Sequence, residues 1–291
     1  MIRGAVTIFL LAVNLAFWGI PVMSAGLLKF VTFGAARRRV ILGLAKLAEG
    51  WVGGNNRIFD LMLPIVWDVA GLEEPIRADG HYLILSNHVS WVDIFALFRI
   101  FDGKVAFLRF FLKQELIWLP IAGQACWALE FPFMRRYTQE YLEKHPEKRG
   151  TDLETTRIAV QRYRTIPVAI LNFVEGTRFS ETKRQDQHSP YRHLLRPRTG
   201  GISFVLASLG DQLDAVLDIT IVYPQRELTL WEFVTGRVPR IIIRGRRLDV
   251  PPEFLTTAIT EPGPARGRFK KWMDSIWREK DALIDQLTVF F

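Results

Sequence analysis

The chain has 291 residues, 49% of them apolar, and its long uncharged stretch is confined to the N-terminal region. This distribution excludes a polytopic membrane protein, in which several such stretches would dominate. A net charge of +8 and an isoelectric point near 9.8 suit an anionic membrane surface, a phosphorylated substrate or a nucleic acid. The single cysteine, Cys126, rules out an intramolecular disulfide and is typical of a reducing, cytoplasmic setting.

The N-terminal segment carries no charge over residues 4–28 and is long enough to span a bilayer. A signal peptide would have a shorter apolar core and a small-residue cleavage site, so we predict an uncleaved membrane anchor over residues 1–39. Pro21 leaves open one kinked span or two half-length helices that enter and leave one leaflet. Three arginines at 37–39 favour a cytoplasmic location for the residues that follow. The alternative is a buried hairpin of core helices.

The rest of the chain divides into three predicted regions. Residues 40–80 form a connecting segment, with a helix and then a first strand near 61–69. Residues 81–250 alternate strand-like and helical patterns, which indicates an α/β domain with six or seven strands in a central sheet. The strand-like runs are HYLILS, KVAFLRF, CWALEFPF, VAILNFV, AVLDITIVYP and RIIIRGRRLDV. The helical patterns are SWVDIFALFRIF, ELIWLPIAG, residues 151–165 and GGISFVLASLG.

The C-terminal region, residues 251–291, contains an amphipathic helical pattern. In GRFKKWMDSIWREKDALIDQL, apolar residues recur at helical spacing with charged residues between them. Such a helix packs on the domain or lies on the membrane.

The candidate reaction centre follows the strand HYLILS. His88 is predicted in the turn after the strand, and Asp93 in the first turns of the next helix. A carboxylate that accepts the proton of one imidazole nitrogen leaves the other nitrogen free to take a proton from a substrate hydroxyl. The alternative interpretation is that His88 caps the helix and Asp93 favours its N-terminus.

Four ordered motifs across residues 81–224 resemble the PlsC-like 1-acyl-sn-glycerol-3-phosphate (lysophospholipid) acyltransferase family. They are Asn87-His88-x4-Asp93; Lys113-Gln114-Glu115-Leu116 with Pro120, Gly123 and Phe133-Met134-Arg135-Arg136; Phe173-Val174-Glu175-Gly176-Thr177-Arg178; and Ile219-Thr220-Ile221-Val222-Tyr223-Pro224. Residues 194–201 also resemble a family element between the third and fourth motifs. A long gap of 36 residues between Arg136 and Phe173 resembles the branch of YihG-like and lysocardiolipin acyltransferases.

The resemblance implies the glycerolipid acyltransferase fold, a mixed central sheet flanked by helices with a hydrophobic N-terminal anchoring helix or helix hairpin. It implies that His88 is the general base and that Asp93 orients it. The implied substrate-binding residues are Asn87, Ser90, Lys113, Arg136, Glu175, Gly176, Thr177 and Arg178, and Pro224 is implied as a donor-site or structural residue. Glycine permits close backbone approach, and a guanidinium binds phosphate bidentately.

The implied reaction moves an acyl group from acyl-CoA or acyl carrier protein to the sn-2 hydroxyl of 1-acylglycerol 3-phosphate, without a cofactor or a metal. Backbone amides at the helix start beside His88 are the expected donors to the developing oxyanion. The expected partners are these two substrates, membrane lipids and an acyl carrier protein, with no nucleic acid. The expected location is a bacterial inner membrane, with the catalytic domain facing the cytoplasm.

Three alternatives remain open from the sequence. In the first alternative, the acyl acceptor is another lysophospholipid or a non-phospholipid alcohol. A metal-dependent hydrolase would use His88, Asp93, His188 and His193 as ligands. A non-enzymatic membrane or nucleic-acid-binding protein would explain the basic charge and the basic loop at residues 178–200. In an enzyme, this loop either binds coenzyme A phosphates or anionic lipid headgroups, or is only a solvated loop.

Overall fold

The computed structural model describes residues 1–73, 76–134, 158, 160–225 and 227–290. Its helices are α1 (Ile2–Gly26), α2 (Gly34–Met62), α3 (Val92–Phe101), α4 (Ala122–Ala128), α5 (Glu181–Asp186), α6 (Gly200–Leu209), α7 (Leu230–Val234) and α8 (Pro264–Thr288). Its strands are β1 (Val66–Ala70), β2 (His81–Ser86), β3 (Leu108–Phe110), β4 (Leu112–Lys113), β5 (Phe133–Met134), β6 (Val168–Phe173), β7 (Ala215–Val222) and β8 (Arg240–Leu248). Short 3₁₀ turns cover Leu27–Phe30, Gln114–Trp118, Pro252–Phe254 and Thr257–Ile259.

The described residues form a six-stranded mixed sheet in the order β1-β8-β7-β2-β6-β3. Strands β7, β2, β6 and β3 are mutually parallel, and β8 pairs antiparallel with β7 and parallel with β1. Every residue of β7 is buried, which its run of β-branched and aliphatic side chains predicts for a strand covered on both faces. The predicted α/β class, with a mixed sheet flanked by helices, is confirmed.

The N-terminal helices form an antiparallel hairpin that packs on the domain. Asn14 of α1 donates to Asn55 of α2, and the ring of Trp18 lies against Gly50. Small residues of α1 allow close packing, because a Cβ at Gly26 would lie only 2.5 Å from the Cβ of Ala128 in α4. Helix α1 continues through Pro21 without a break.

One helical stretch among the described residues, Ile2–Phe30, is long and apolar enough to cross a membrane. Large apolar side chains such as Phe9 and Phe17 are exposed along it. The predicted apolar N-terminal helix is confirmed and is compatible with membrane association. Helix α2 passes through residue 39 without interruption, and β1 joins the same sheet as the later strands; the division into four regions stays a prediction.

Three local predictions differ from the structure. The first strand is β1 rather than 61–69, because α2 continues to Met62 and ends before Pro64, whose ring disfavours a helical conformation at Leu63. The segment CWALEFPF, predicted as a strand, begins in α4 and reaches β5 only at its end. The run ELIWLPIAG, predicted as one helix, divides into a 3₁₀ turn and the start of α4. Most of the helix predicted at 151–165 lies outside the described residues.

The C-terminal helix α8 packs on the domain. Its apolar stripe, which includes Phe269, Met273 and Trp277, is buried against α6 and the sheet. Lys280 from the same helix is also buried, where it donates to the carbonyl of Ile219 in β7 and pairs with Asp218 at 2.7 Å. This ion pair fixes the helix against the strand that leads to the candidate site.

Candidate functional site

The candidate site lies where β2 ends and α3 begins, at the carboxyl edge of the parallel strands. The Nδ1 atom of His88 lies 2.8 Å from Oδ2 of Asp93. The aspartate side chain is 0% exposed and the histidine side chain 14% exposed. The structure therefore brings together the two residues of the predicted base, with the imidazole reaching the surface of the site.

Asp93 is held by four hydrogen-bond partners. Its Oδ2 also accepts from the backbone amides of Val89 at 2.6 Å and Ser90 at 2.9 Å. Its Oδ1 accepts from the hydroxyl of Tyr223 at 2.6 Å. Burial raises the pKa of Tyr223 well above its ordinary value, and the charge of Asp93 raises it further, so the phenol stays a donor. The carboxylate therefore has one fixed orientation toward His88.

The imidazole ring of His88 is fixed as well. It stacks on the ring of Phe173 with a centroid distance of 3.9 Å and an interplanar angle of 15°. Because Oδ2 of Asp93 is an acceptor, it assigns the proton of the neutral ring to Nδ1. This tautomer leaves the lone pair of Nε2 available to accept a proton.

Two predicted substrate-binding residues, Asn87 and Ser90, brace the loop. The side-chain amide of Asn87 donates to the carbonyl of Ile221 and accepts from its N–H, both at 2.9 Å. The Ser90 hydroxyl donates to the carbonyl of Leu228 at 2.7 Å. Both side chains are buried and engaged in these internal bonds, which position the loop; their contact with substrate stays a prediction.

Glu175 also lies inside the protein, with 1% exposure. Its Oε2 accepts from the backbone amide of His88 at 2.7 Å, and its Oε1 from that of Leu195 at 2.8 Å. Burial raises the pKa of Glu175 to about 8, although the two amide donors oppose the shift. In the structure Glu175 holds the backbone of the candidate base, and its direct contact with substrate stays a prediction.

Most amides beside His88 have partners too. Those of His88, Val89 and Ser90 donate to buried carboxyl oxygens, and that of Val92 to the Ser90 hydroxyl. Within the described residues the amide of Trp91, at the same helix start, has no acceptor, so the expectation that an amide here stabilises an oxyanion stays a prediction.

The turn after β6 lies against the His88 loop, since the amide of Phe179 donates to the His88 carbonyl at 2.7 Å. Gly176 has a φ of +67°, a left-handed conformation that favours glycine. The Thr177 hydroxyl accepts from the ammonium of Lys183 at 3.0 Å. Arg178 is exposed, and its guanidinium lies 5.1 Å from the ring centroid of Trp91. This turn presents a positive charge beside the site.

The remaining predicted residues lie around this centre. Lys113 is exposed at the end of β4, which pairs with β5. Arg136 lies outside the described residues. Pro224 is half-buried directly after β7 and Tyr223.

Sequence reasoning missed the roles of Tyr223 and Phe173. Both belong to the family motifs, but the prediction assigned roles to other residues of those motifs. The signal that could have found them is their position, since each lies at the end of a strand that parallels or neighbours β2 and therefore reaches the same edge of the sheet.

The structure does not assemble the ligands of the metal alternative. His193 bonds through Nε2 to Asp285 on α8 at 2.7 Å. Within the part of the chain that the structure describes, histidine, cysteine and acidic residues form no group of three suited to a metal ion.

Fold and site define an α/β protein with a braced histidine–aspartate pair at the carboxyl edge of its sheet. The sequence profile of the Acyltransferase family matches residues 69–224, more than half of the chain. The chain therefore belongs to the Acyltransferase family.

Curated relatives agree with this assignment. Lysocardiolipin acyltransferase 1 of Danio rerio is 28% identical over 234 residues, covering 73% of this chain and 55% of that protein. The 1-acyl-sn-glycerol-3-phosphate acyltransferase epsilon of Mus musculus is 24% identical over 229 residues, covering 69% and 56%. The matched region thus spans a little over half the length of these relatives.

A solved structure shares the fold. The 1-acyl-sn-glycerophosphate (LPA) acyltransferase PlsC from Thermotoga maritima aligns with a TM-score of 0.57 at 16% identity, covering 98% of this chain and 95% of that one.

Proposed function

We propose that the protein transfers an acyl group from a thioester, acyl-CoA or acyl carrier protein, to the sn-2 hydroxyl of 1-acylglycerol 3-phosphate, forming phosphatidate. The observation that carries the proposal is the His88–Asp93 pair, in which Nε2 of His88 has no hydrogen-bond partner among the described residues. Membership of the Acyltransferase family and relatives named as acylglycerol-phosphate acyltransferases support the substrate class.

In this mechanism, Nε2 of His88 accepts the proton of the acceptor hydroxyl as its oxygen attacks the thioester carbonyl. The new C–O bond forms, the C–S bond breaks, and the leaving thiolate takes the proton back from His88. Asp93 stabilises the imidazolium that exists between the two proton transfers. Every proton is therefore returned, and the reaction needs no cofactor or metal.

The acceptor phosphate is assigned to the basic residues around the turn after β6. Arg178 is exposed beside His88, and Lys113 lies exposed after β3; Arg136 is proposed from its motif alone. Gly176 and Thr177 shape the turn that presents Arg178. A cation near the glycerol hydroxyl would hold the anionic end of the acceptor while the base acts on the other end.

The apolar face of α1 supports a membrane location for a lipid substrate. We propose association with a bacterial inner membrane through the α1–α2 hairpin, with the domain on the cytoplasmic side, where the three arginines at 37–39 favour it.

A second acceptor class is lysocardiolipin or a related lysophospholipid. The relative from Danio rerio, named for lysocardiolipin, favours it. The same histidine chemistry serves both acceptors, so the headgroup decides between them.

The test is acyl transfer by detergent-purified protein from labelled acyl-CoA or acyl carrier protein to 1-acylglycerol 3-phosphate and lysocardiolipin. We expect His88→Ala to lower the rate on the order of 10²–10⁴-fold, the typical contribution of a general base. The matched control is His193→Ala, which removes another carboxylate-paired imidazole and should retain the wild-type rate.

Each outcome separates the alternatives. A loss of activity in His193→Ala equal to that in His88→Ala, together with a loss of wild-type activity in chelator, would support the metal-dependent hydrolase. A folded wild-type protein without transfer from either donor to either acceptor would overturn the proposal.

A further inference from the structure

A second basic site lies between α8 and the loop that precedes α6. It is a cavity of about 360 Å³, within the range of small-molecule sites. Three cations and one carboxylate line it, together with a buried tyrosine, Thr199 and two prolines; the charged residues are Arg196, Lys270, Arg278 and Asp274. The cavity therefore has a net positive charge and walls that are partly polar and partly apolar.

Two cations of this cavity, Lys270 and Arg278, have few internal partners, whereas the guanidinium of Arg196 already donates to the carbonyls of Gln187 and His188 at 3.0 and 2.8 Å. Two nearby arginines that do not line the cavity, Arg268 and Arg192, form ion pairs with Glu253 and Asp285 at 2.6 and 2.9 Å, respectively. Within the described residues, Lys270 has no hydrogen bond or ion pair, and Arg278 bonds only to a carbonyl of its own helix. Asp274 is the one carboxylate of the lining, and its Oδ1 accepts from the Tyr191 hydroxyl at 3.2 Å; the three cations therefore leave a net positive charge that is suited to an external anion.

The cavity shares one loop with the candidate reaction centre. Arg196, Pro197 and Thr199 line the cavity. In the same loop, the backbone amide of Leu195 donates a hydrogen bond to Glu175, and the backbone amide of Arg198 donates to the carbonyl of Val174 at 2.7 Å. The loop therefore connects the two sites, and a ligand held in the cavity and reacting at His88 must extend from one to the other.

The surroundings favour a water-soluble phosphate ester over a bilayer headgroup. The apolar hairpin packs on α3, α4 and α7, whereas the cavity lies at α8. The face that would meet a bilayer is therefore built from other elements.

We propose that this cavity binds the phosphorylated nucleotide of coenzyme A, while the pantetheine arm carries the thioester to His88. The inference rests on the proposed function and names its donor. Lys270, Arg196 and Arg278 would bind the phosphates, and the Asp274 carboxylate would accept from ribose or adenine. A carrier protein, which shares the phosphopantetheine arm but lacks the nucleotide, would leave the cavity empty.

The test measures binding of adenosine 3′,5′-bisphosphate by calorimetry to detergent-purified protein. We expect the double variant Lys270→Glu/Arg278→Glu to weaken binding about tenfold or more, because two charge-assisted contacts are replaced by repulsion. The control is Lys271→Glu, which makes a charge reversal at the next exposed residue outside the cavity. It should bind like wild type.

Kinetics and vesicles complete the test. The double variant should raise KM for acyl-CoA and leave KM for acyl carrier protein unchanged. Equal weakening by Lys271→Glu, or unchanged nucleotide binding in the double variant, overturns the proposal. So does a double variant that loses only adsorption to phosphatidylglycerol vesicles, which would assign the cavity to lipid heads. Nucleotide binding is measured without turnover, so its result stands apart from failure of the proposed transfer.

Discussion

His88 and His193 have the same kinds of partner in different surroundings. Each bonds a carboxylate through a ring nitrogen, at 2.8 Å to Asp93 and 2.7 Å to Asp285. Each also has its backbone amide held by an acidic side chain, Glu175 for His88 and Asp281 for His193. Distance and pairing therefore do not distinguish them.

The two histidines are distinguished by the burial of the carboxylate and by its other hydrogen bonds. Asp93 is fully buried and also accepts from Tyr223 and two amides. Asp285 is 44% exposed and shares its oxygen with Arg192. A shielded, fully bonded carboxylate orients an imidazole strongly, whereas a solvated one is screened. The two pairs therefore differ in what holds the carboxylate, and this difference supports the proposal that His88 is the base.

Asp93→Asn should have the largest effect on this comparison. An amide cannot accept from the imidazole and both loop amides as the carboxylate does, so the tautomer and ring position of His88 are lost. We expect kcat to fall on the order of 10³-fold, as for other bases that lose their orienting carboxylate. Acyl-transfer kinetics check it; a rate within a few-fold of wild type would remove Asp93 from the mechanism.

Tyr223→Phe should have the second-largest effect on kcat. It leaves Oδ1 of buried Asp93 without its phenol donor, and the loss of one charge-assisted bond predicts a fall in kcat of about tenfold to hundredfold. KM for both substrates should stay constant, because the ring remains in place. The control is Tyr163→Phe, which removes another buried hydroxyl, bonded to the Glu130 carbonyl, and should leave kcat unchanged. Equal loss in both variants would indicate a general effect on stability.

Glu175→Gln tests how the buried residue that holds the His88 amide contributes to the free energy of unfolding as pH changes. The pKa of Glu175 is raised by burial from 4.5 to about 8. Between these values the folded state keeps a proton that the unfolded state has released. Its contribution to the free energy of unfolding is therefore full below pH 4.5 and is lost as pH rises toward 8.

A glutamine does not titrate, so the variant should lose this part of the pH slope while being less stable throughout, since one of the two amides loses its acceptor. Thermal unfolding of both proteins from pH 5 to 8 measures the difference in slope. Parallel curves would contradict the raised pKa.

The sequence predicted the contact between His88 and Asp93 because the elements that place them are local. A strand, a short turn and a helix place His88 and Asp93 together whatever surrounds them, and the family motifs indicated which pair to examine. Strands such as β2 and β7 were equally readable from continuous apolar runs. These features depend on neighbours along the chain.

The burial of polar motif residues was not readable. Glu175 and Asn87 are polar, and nothing in their spacing shows that backbone groups from Leu195 and Ile221 meet them inside the protein. The segment around Cys126 was misassigned for a related reason. Its apolar run suits either a strand or a helix, and packing against α1 decides for a helix.

Asp285→Asn should have the smallest effect and completes the comparison from the other side. The hydrogen bond from His193 lowers the pKa of Asp285, so its stabilising contribution is present above the ordinary value of 3.8 and is lost as pH falls through the folded-state pKa. The side chain is largely solvated, so we expect a small decrease in Tm near neutral pH that narrows in acid, and an unchanged kcat. Paired unfolding and transfer assays check both. A decrease in kcat like that of Asp93→Asn would show that an exposed carboxylate orients a histidine as well as a buried one does, and the distinction drawn from burial would be wrong.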